Sequence, residues 1–201
     1  MNIFFDTEFT GLQKDTTLIS IGLVSGDSST SFYAEFTDYD ESQCNQWIYE
    51  NVIKNLKFNN RDSFSPENSS EHYADYIYGD VTVMKGNKEE VKEGLLAWLN
   101  KFDTVELISD VCHYDMVLFI DIFGGAFDLP TKISSCCYEL NQDIASFYSI
   151  STMRAFDMSR EDILISFLSS ISGDKHNSLY DAAVIREIYR HINMMKNTQI
   201  Y

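Results

Sequence analysis

The chain has 201 residues, 44% of them hydrophobic, and a formal net charge of −16, which suits one globular domain with a sizeable core and excludes a disordered polymer. Such acidity argues against a protein that coats duplex DNA through Lys and Arg, and leaves room for a site that holds divalent cations and meets a nucleic acid at one end. No apolar run approaches the ~18–20 residues of a membrane helix, and the start lacks the basic n-region of a signal peptide, with Asp6 and Glu8 inside the would-be apolar stretch.

In chain order, the pattern predicts a buried strand over 2–7, a second over 18–26 (LISIGLVSG) and a third over 30–36 (TSFYAEF), the last two joined by a hairpin turn. Residues 41–56 carry Cys44, Trp47, Ile48, Val52 and Leu56 at roughly helical spacing. The polar, turn-rich stretch 57–87 reads as an insertion containing a small hairpin. Residues 88–102 make an amphipathic helix. A fourth strand follows over 104–110 (TVELISD), a helix over 114–123 and a fifth strand over 131–135. Helices are expected over 138–149, 160–171 and 178–195, the last with the strongest pattern. With no repeat, linker or low-complexity segment, the expectation is a single domain over 1–201 in the α/β class, three antiparallel strands followed by helix–strand alternation. Of the cysteines, Cys44, Cys112, Cys136 and Cys137, none has zinc-ligand spacing. Adjacent Cys136 and Cys137 suit neither a zinc cage nor an easy disulfide, so reduced thiols in a cytoplasm are expected.

The chemistry concentrates on a few acids. Alternate strand residues share a face, so Asp6 and Glu8 in "FFDTEF" point the same way and repel each other. Asp115 opens the helix after the fourth strand. His176 and Asp181 bracket the start of the last helix, His176 on the preceding loop and Asp181 within the first turns. Each has a plain reading beside the functional one. Ser178 with Asp181 fits the capping-box spacing, Asp115 is an acid near a helix N-terminus, and a lone loop His is usually a solvated group. The acids together point elsewhere. Mg²⁺ and Mn²⁺ prefer carboxylate oxygens, and two such ions about 3.5–4 Å apart can clamp the attacking and leaving oxygens of a phosphodiester. A His titrating near neutrality can take the proton of the attacking water.

Asp6-Thr7-Glu8, Asp115 in "HYDMVLF" and "HNSLYDA" resemble the three motifs of the DEDDh 3′–5′ exonucleases, most closely the mycobacterial-type exoribonucleases that prefer polyadenylate. "LISIGLV", "FYAEF", "VELISDVCHYD" and "HNSLYDAAVIREIYR" extend the likeness over roughly residues 1–56, 102–130 and 176–192. The resemblance implies an RNase H-like fold with a mixed sheet flanked by helices. It implies Asp6, Glu8, Asp115 and Asp181 as ligands of two divalent cations (Mg²⁺ or Mn²⁺), His176 as general base, and a homodimer. The tyrosine subclass has Tyr four residues before the last Asp; Asn177 stands there, so the histidine form is expected. Phe9 is a candidate for stacking on a terminal base, beside a role in core packing. The segment 57–87 and Asp110 depart from the compact members. The expected activity is release of nucleoside monophosphates from single-stranded RNA, adenylate-rich 3′ ends being favoured. The alternatives are the same chemistry on DNA and a non-catalytic RNase H-like binding module.

Overall fold

In the computed structural model, which describes residues 1–58 and 79–198, six strands form one mixed sheet in the order β4-β3-β2-β1-β5-β6. The strands are β1 (Asn2–Phe9), β2 (Leu18–Ser25), β3 (Thr30–Phe36), β4 (Asp80–Gly86), β5 (Val105–Ser109) and β6 (Ile133–Glu139). β1, β2 and β3 run antiparallel, while β4, β5 and β6 pair in parallel with β3, β1 and β5. β2 and β3 are buried along their whole length, because helices cover both faces of the sheet, which is why these strands read as continuous runs rather than alternations.

The helices are α1 (Gln46–Asn51), α2 (Lys88–Leu99), α3 (Cys112–Phe123), α4 (Leu140–Tyr148), α5 (Thr152–Phe156), α6 (Arg160–Ser166) and α7 (Ser178–Thr198). Ile3 and Phe5 of β1 pack with Leu95 and Trp98 of α2 and Phe119 of α3. Phe4 joins Ile144 of α4 and Ile185 and Ile188 of α7 on the other side. The two-residue period of β1 therefore sends Asp6 and Glu8 to the α7 side and Thr7 to the α3 side. α7 lies directly on the sheet: a Cβ added to Gly22, opposite Asp6, would sit 2.3 Å from the backbone nitrogen of Leu179. Only glycine permits that approach.

Several boundaries differ from the pattern. The helix expected over 41–56 is broken into a 3₁₀ turn at Glu41–Gln43, α1, and another turn at Ile53–Asn55. Asn45 accepts from Ile48 N and starts a new helix inside the stretch. In the segment read as an insertion, a strand follows Gly79 and pairs in parallel with β3. The expected small hairpin falls largely on the remainder of that segment, 59–78, which lies outside the described residues. The fifth expected strand is shifted to 133–139, α5 was not foreseen, and α6 stops at Ser166. Cys112 and Cys137 form a disulfide with Cα atoms 6.3 Å apart, which corrects the expectation of reduced thiols: β5–β6 pairing carries Cys137 to the start of α3, a proximity that no local spacing discloses. Among the described residues no helix is long and apolar enough to cross a membrane.

Candidate active site

The C-terminal end of β1 and the N-termini of α3 and α7 converge on a cleft of about 480 Å³. Asp6, Glu8, Asp115, His176 and Asp181 all line it, so the fold brings together every acid and the histidine expected from sequence. α7 begins after Asn177, whose side-chain oxygen accepts from Tyr180 N at 3.3 Å. The cap is thus Asn177, not Ser178, whose hydroxyl meets that of Ser20 at 3.0 Å. That leaves Asp181 facing the cluster, where one oxygen accepts from the His176 backbone N–H at 2.9 Å. His176 holds φ at 62°, a left-handed backbone that folds the loop back over Asp181.

Asp115 is buried, and its orientation is over-determined. One carboxylate oxygen accepts from Thr7 N at 3.2 Å and Thr7 Oγ1 at 2.6 Å, and the other accepts from the Ser109 hydroxyl. The middle residue of Asp6-Thr7-Glu8 points away from the acid pair and aims the third acid. Thr7 and Ser109 were not singled out from sequence; the D-T-E alternation was the available signal for Thr7.

Burial pushes all four carboxyls up. Asp6 is raised well above its ordinary value by desolvation first, then by the charges of Asp115, Asp181 and Glu8. Glu8 is raised by desolvation, then by Asp181 and Asp115. Desolvation lifts Asp115 to about 7 against the hydrogen bonds from Ser109 and Thr7, and lifts Asp181 to about 8 with Asp110 adding to it. Four mutually repelling carboxylates are a high-energy arrangement without positive charge. One oxygen of Asp6 is buried with no hydrogen-bond partner. Ligand atoms of Glu8, His176 and Asp181 lie within 4.8 Å of one another. The all-oxygen character of the acid set and the orphaned Asp6 oxygen fit a hard divalent cation.

His176 is half-buried, with Nδ1 3.8 Å from Glu8 Oε1. Burial, and then the neighbouring Lys175 charge, lowers its pKa, so the imidazole is neutral at pH 7. The Trp47 ring of α1 meets it edge-on at 5.1 Å. Phe9 stacks on Tyr114 at 5.9 Å, and the His113 ring lies 4.4 Å from Tyr114. Phe9 also packs against the core, and Phe9 and Tyr114 both line the cleft. Phe156, Arg160 and Lys175 also line the cleft, from segments that sequence left without a role.

A mixed sheet of this order, which gathers acids from β1, α3 and α7 and a histidine before α7 into one cleft, has the fold of the RNase H-like DEDDh nucleases. The chain belongs to the 3′–5′ exoribonuclease Rv2179c-like domain family, whose profile matches residues 1–193. It is 26% identical over 144 residues to the 3′–5′ exoribonuclease Rv2179c of Mycobacterium tuberculosis strain H37Rv, covering 71% of this chain and 73% of that protein. Among solved structures it is similar in fold to the nuclease domain of 3′hExo, a DEDDh family member bound to rAMP, with a TM-score of 0.64 and 13% identity over 98% of this chain and 92% of that one. It is also similar to S. pombe Pop2p in its Mg²⁺- and Mn²⁺-bound form, with a TM-score of 0.60 and 15% identity over 96% and 82% of the two chains. The protein is a 3′–5′ exoribonuclease, a hydrolase of RNA phosphodiesters.

Proposed function

We propose that Asp6, Glu8, Asp115 and Asp181 hold two divalent cations, Mg²⁺ or Mn²⁺, and that His176 is the general base for removal of nucleoside monophosphates from the 3′ end of single-stranded RNA. The observation that carries this reading is the buried, unpartnered Asp6 oxygen at the centre of four carboxyls raised by burial and by one another. Cations bound there would neutralise the phosphate, polarise the scissile bond and make the attacking water more acidic. The chain's own residues do the rest. Thr7 and Ser109 fix Asp115, and the Asp181 carboxylate ties down the His176 backbone. His176 takes the proton of the attacking water at Nδ1, the nitrogen that faces Glu8. Phe9, backed by Tyr114, offers a flat face to the terminal base, a contact that tolerates any base.

The test uses matched 3′- and 5′-labelled RNA and DNA oligonucleotides with Mg²⁺, Mn²⁺ or EDTA. Mononucleotides should leave the 3′ end in either metal, and none in EDTA. RNA should be degraded faster than DNA if the site contacts the 2′-hydroxyl, and homopolymers in the same panel measure any adenylate preference. Internal cuts, or full activity in EDTA, would overturn the proposal.

A further inference from the structure

Arg160 is a guanidinium set into the wall of an acidic cleft, and its surroundings are built for it. It opens α6 behind the Ser159 cap. Its Nε donates to Asp110 Oδ2 at 2.5 Å, its Nη1 to the carbonyls of Ala155 and Met158 at 2.9 and 3.0 Å, and its Nη2 to Asn141 Oδ1 at 2.7 Å. Asn141 also donates to the backbone carbonyl of Asp110. The Arg160 and Asp110 side chains are only 14% and 12% exposed. Lys175, the other Lys or Arg lining the cleft, is 56% exposed and reaches Glu161 at 3.6 Å. Of the two Lys or Arg side chains among the described residues that line the cleft, Arg160 is therefore the one largely withdrawn from solvent.

Its partner sits where a charge matters. Asp110 follows β5 and adds to the repulsion felt by Asp6, Asp115 and Asp181. Unpaired, it would be a fifth carboxylate in a cleft that must admit an RNA phosphate. We propose that Arg160 is a positioning residue that locks Asp110 into a neutral pair, with Asn141 as the strut, and so sets the charge balance between cation and RNA binding in this cleft. The proposal rests on the site reading above and goes beyond it, because neither residue belongs to the set of acids proposed to hold the cations.

The sign of two affinities separates this role from mere scaffolding. Removing one partner of a buried ion pair leaves the other charge uncompensated. Arg160→Met should weaken metal-free binding of a short fluorescein-labelled single-stranded RNA by about tenfold, an effect that shrinks as salt rises. The same variant should lower the Mn²⁺ concentration at the midpoint of the thermal-stability response, since an extra carboxylate attracts cations. Asp110→Asn should move both affinities the opposite way. The double variant Arg160→Met/Asp110→Asn should return both to within about threefold of the parent, because the pair is then removed as a unit. A loss of both affinities in Arg160→Met that Asp110→Asn does not rescue would reduce Arg160 to scaffolding. RNA binding that stays weak in a well-folded double variant would mean direct phosphate contact. Either result overturns the proposal, as does an Arg160→Met protein that changes neither affinity. If Arg160→Met does not fold, Asp110→Asn alone carries the test through its opposite signs. Asp6→Asn, run alongside, tests the cation site itself: loss of its Mn²⁺ response is independent of the signs read from the Arg160 pair.

Discussion

Asp110 and Asp115 both line the cleft, yet their partners separate them. Asp115 is aimed at the acid cluster by Thr7 and Ser109, while Asp110 is engaged by Arg160. Asp115→Asn should lower turnover by orders of magnitude with the fold intact. Asp110→Asn should stay within about tenfold, a barrier change of only ~1.4 kcal/mol. Turnover of both on one labelled RNA at saturating Mn²⁺, with melting curves, decides it, and a dead Asp110→Asn beside an active Asp115→Asn would reverse the assignment. His176→Ala should cost about 10²–10⁴-fold in turnover. Because burial lowers the His176 pKa, activity in the parent should rise with pH until the imidazole is neutral, and this acidic limb should disappear in the variant. A variant with near-parental turnover would return His176 to a surface group. The acids were legible because D-x-E on a strand places two charges on one face. Thr7, Ser109, Arg160 and Trp47 were not, since each acts through a contact across the fold that no local spacing encodes.

At the scale of elements, the approach of α7 to β2 governs the site. Gly22 pairs with Asp6, and a side chain on it would collide with the backbone of Ser178 and Leu179. Gly22→Ala must push the N-terminus of α7 away, and Asp181 and His176 with it. Overpacking of this kind costs about 1–3 kcal/mol, and a displacement near 1 Å in a catalytic group can cost about 10²-fold in rate. Turnover should therefore fall further than the melting temperature suggests. An alanine variant with parental kcat would show that α7 does not set the geometry. The strands of the central sheet were readable as continuous apolar runs bounded by turns, and α2, α3 and α7 by their helical apolar spacing. Residues 41–56 misled because helical spacing persisted across an internal cap at Asn45. The pairing of β4 was not legible because a short strand that pairs in parallel announces no partner in its own sequence.

For the whole molecule, the raised carboxyls link folding to both pH and metal. Unfolded, Asp and Glu titrate near 4; folded, Asp115 reaches about 7, Asp181 about 8, and Asp6 and Glu8 are raised with them. Between these limits the folded chain holds protons that the unfolded chain has lost. Stability from these groups is therefore complete below about pH 4 and declines as pH rises through 7 to 8. Glu187 works in the opposite sense: hydrogen bonds from Arg190 hold it at about 2, so its contribution is lost only as pH falls from about 4 toward 2. The two windows do not overlap, and above about pH 6.5, where His176 with its lowered pKa has lost its proton in both states, the range up to pH 8 is left to the cluster. In EDTA the melting temperature should drop across that range. With Mn²⁺ the drop should flatten or reverse, because a cation that binds only the folded state displaces those protons and stabilises most where they are already leaving. Asp181→Asn removes a carboxyl that burial lifts to about 8 and should flatten the EDTA curve without any metal. Melting curves at fixed ionic strength test both halves at once. A parent protein whose EDTA melting temperature rises from about pH 6.5 to 8 would mean that the four carboxyls do not share a buried, cation-seeking site.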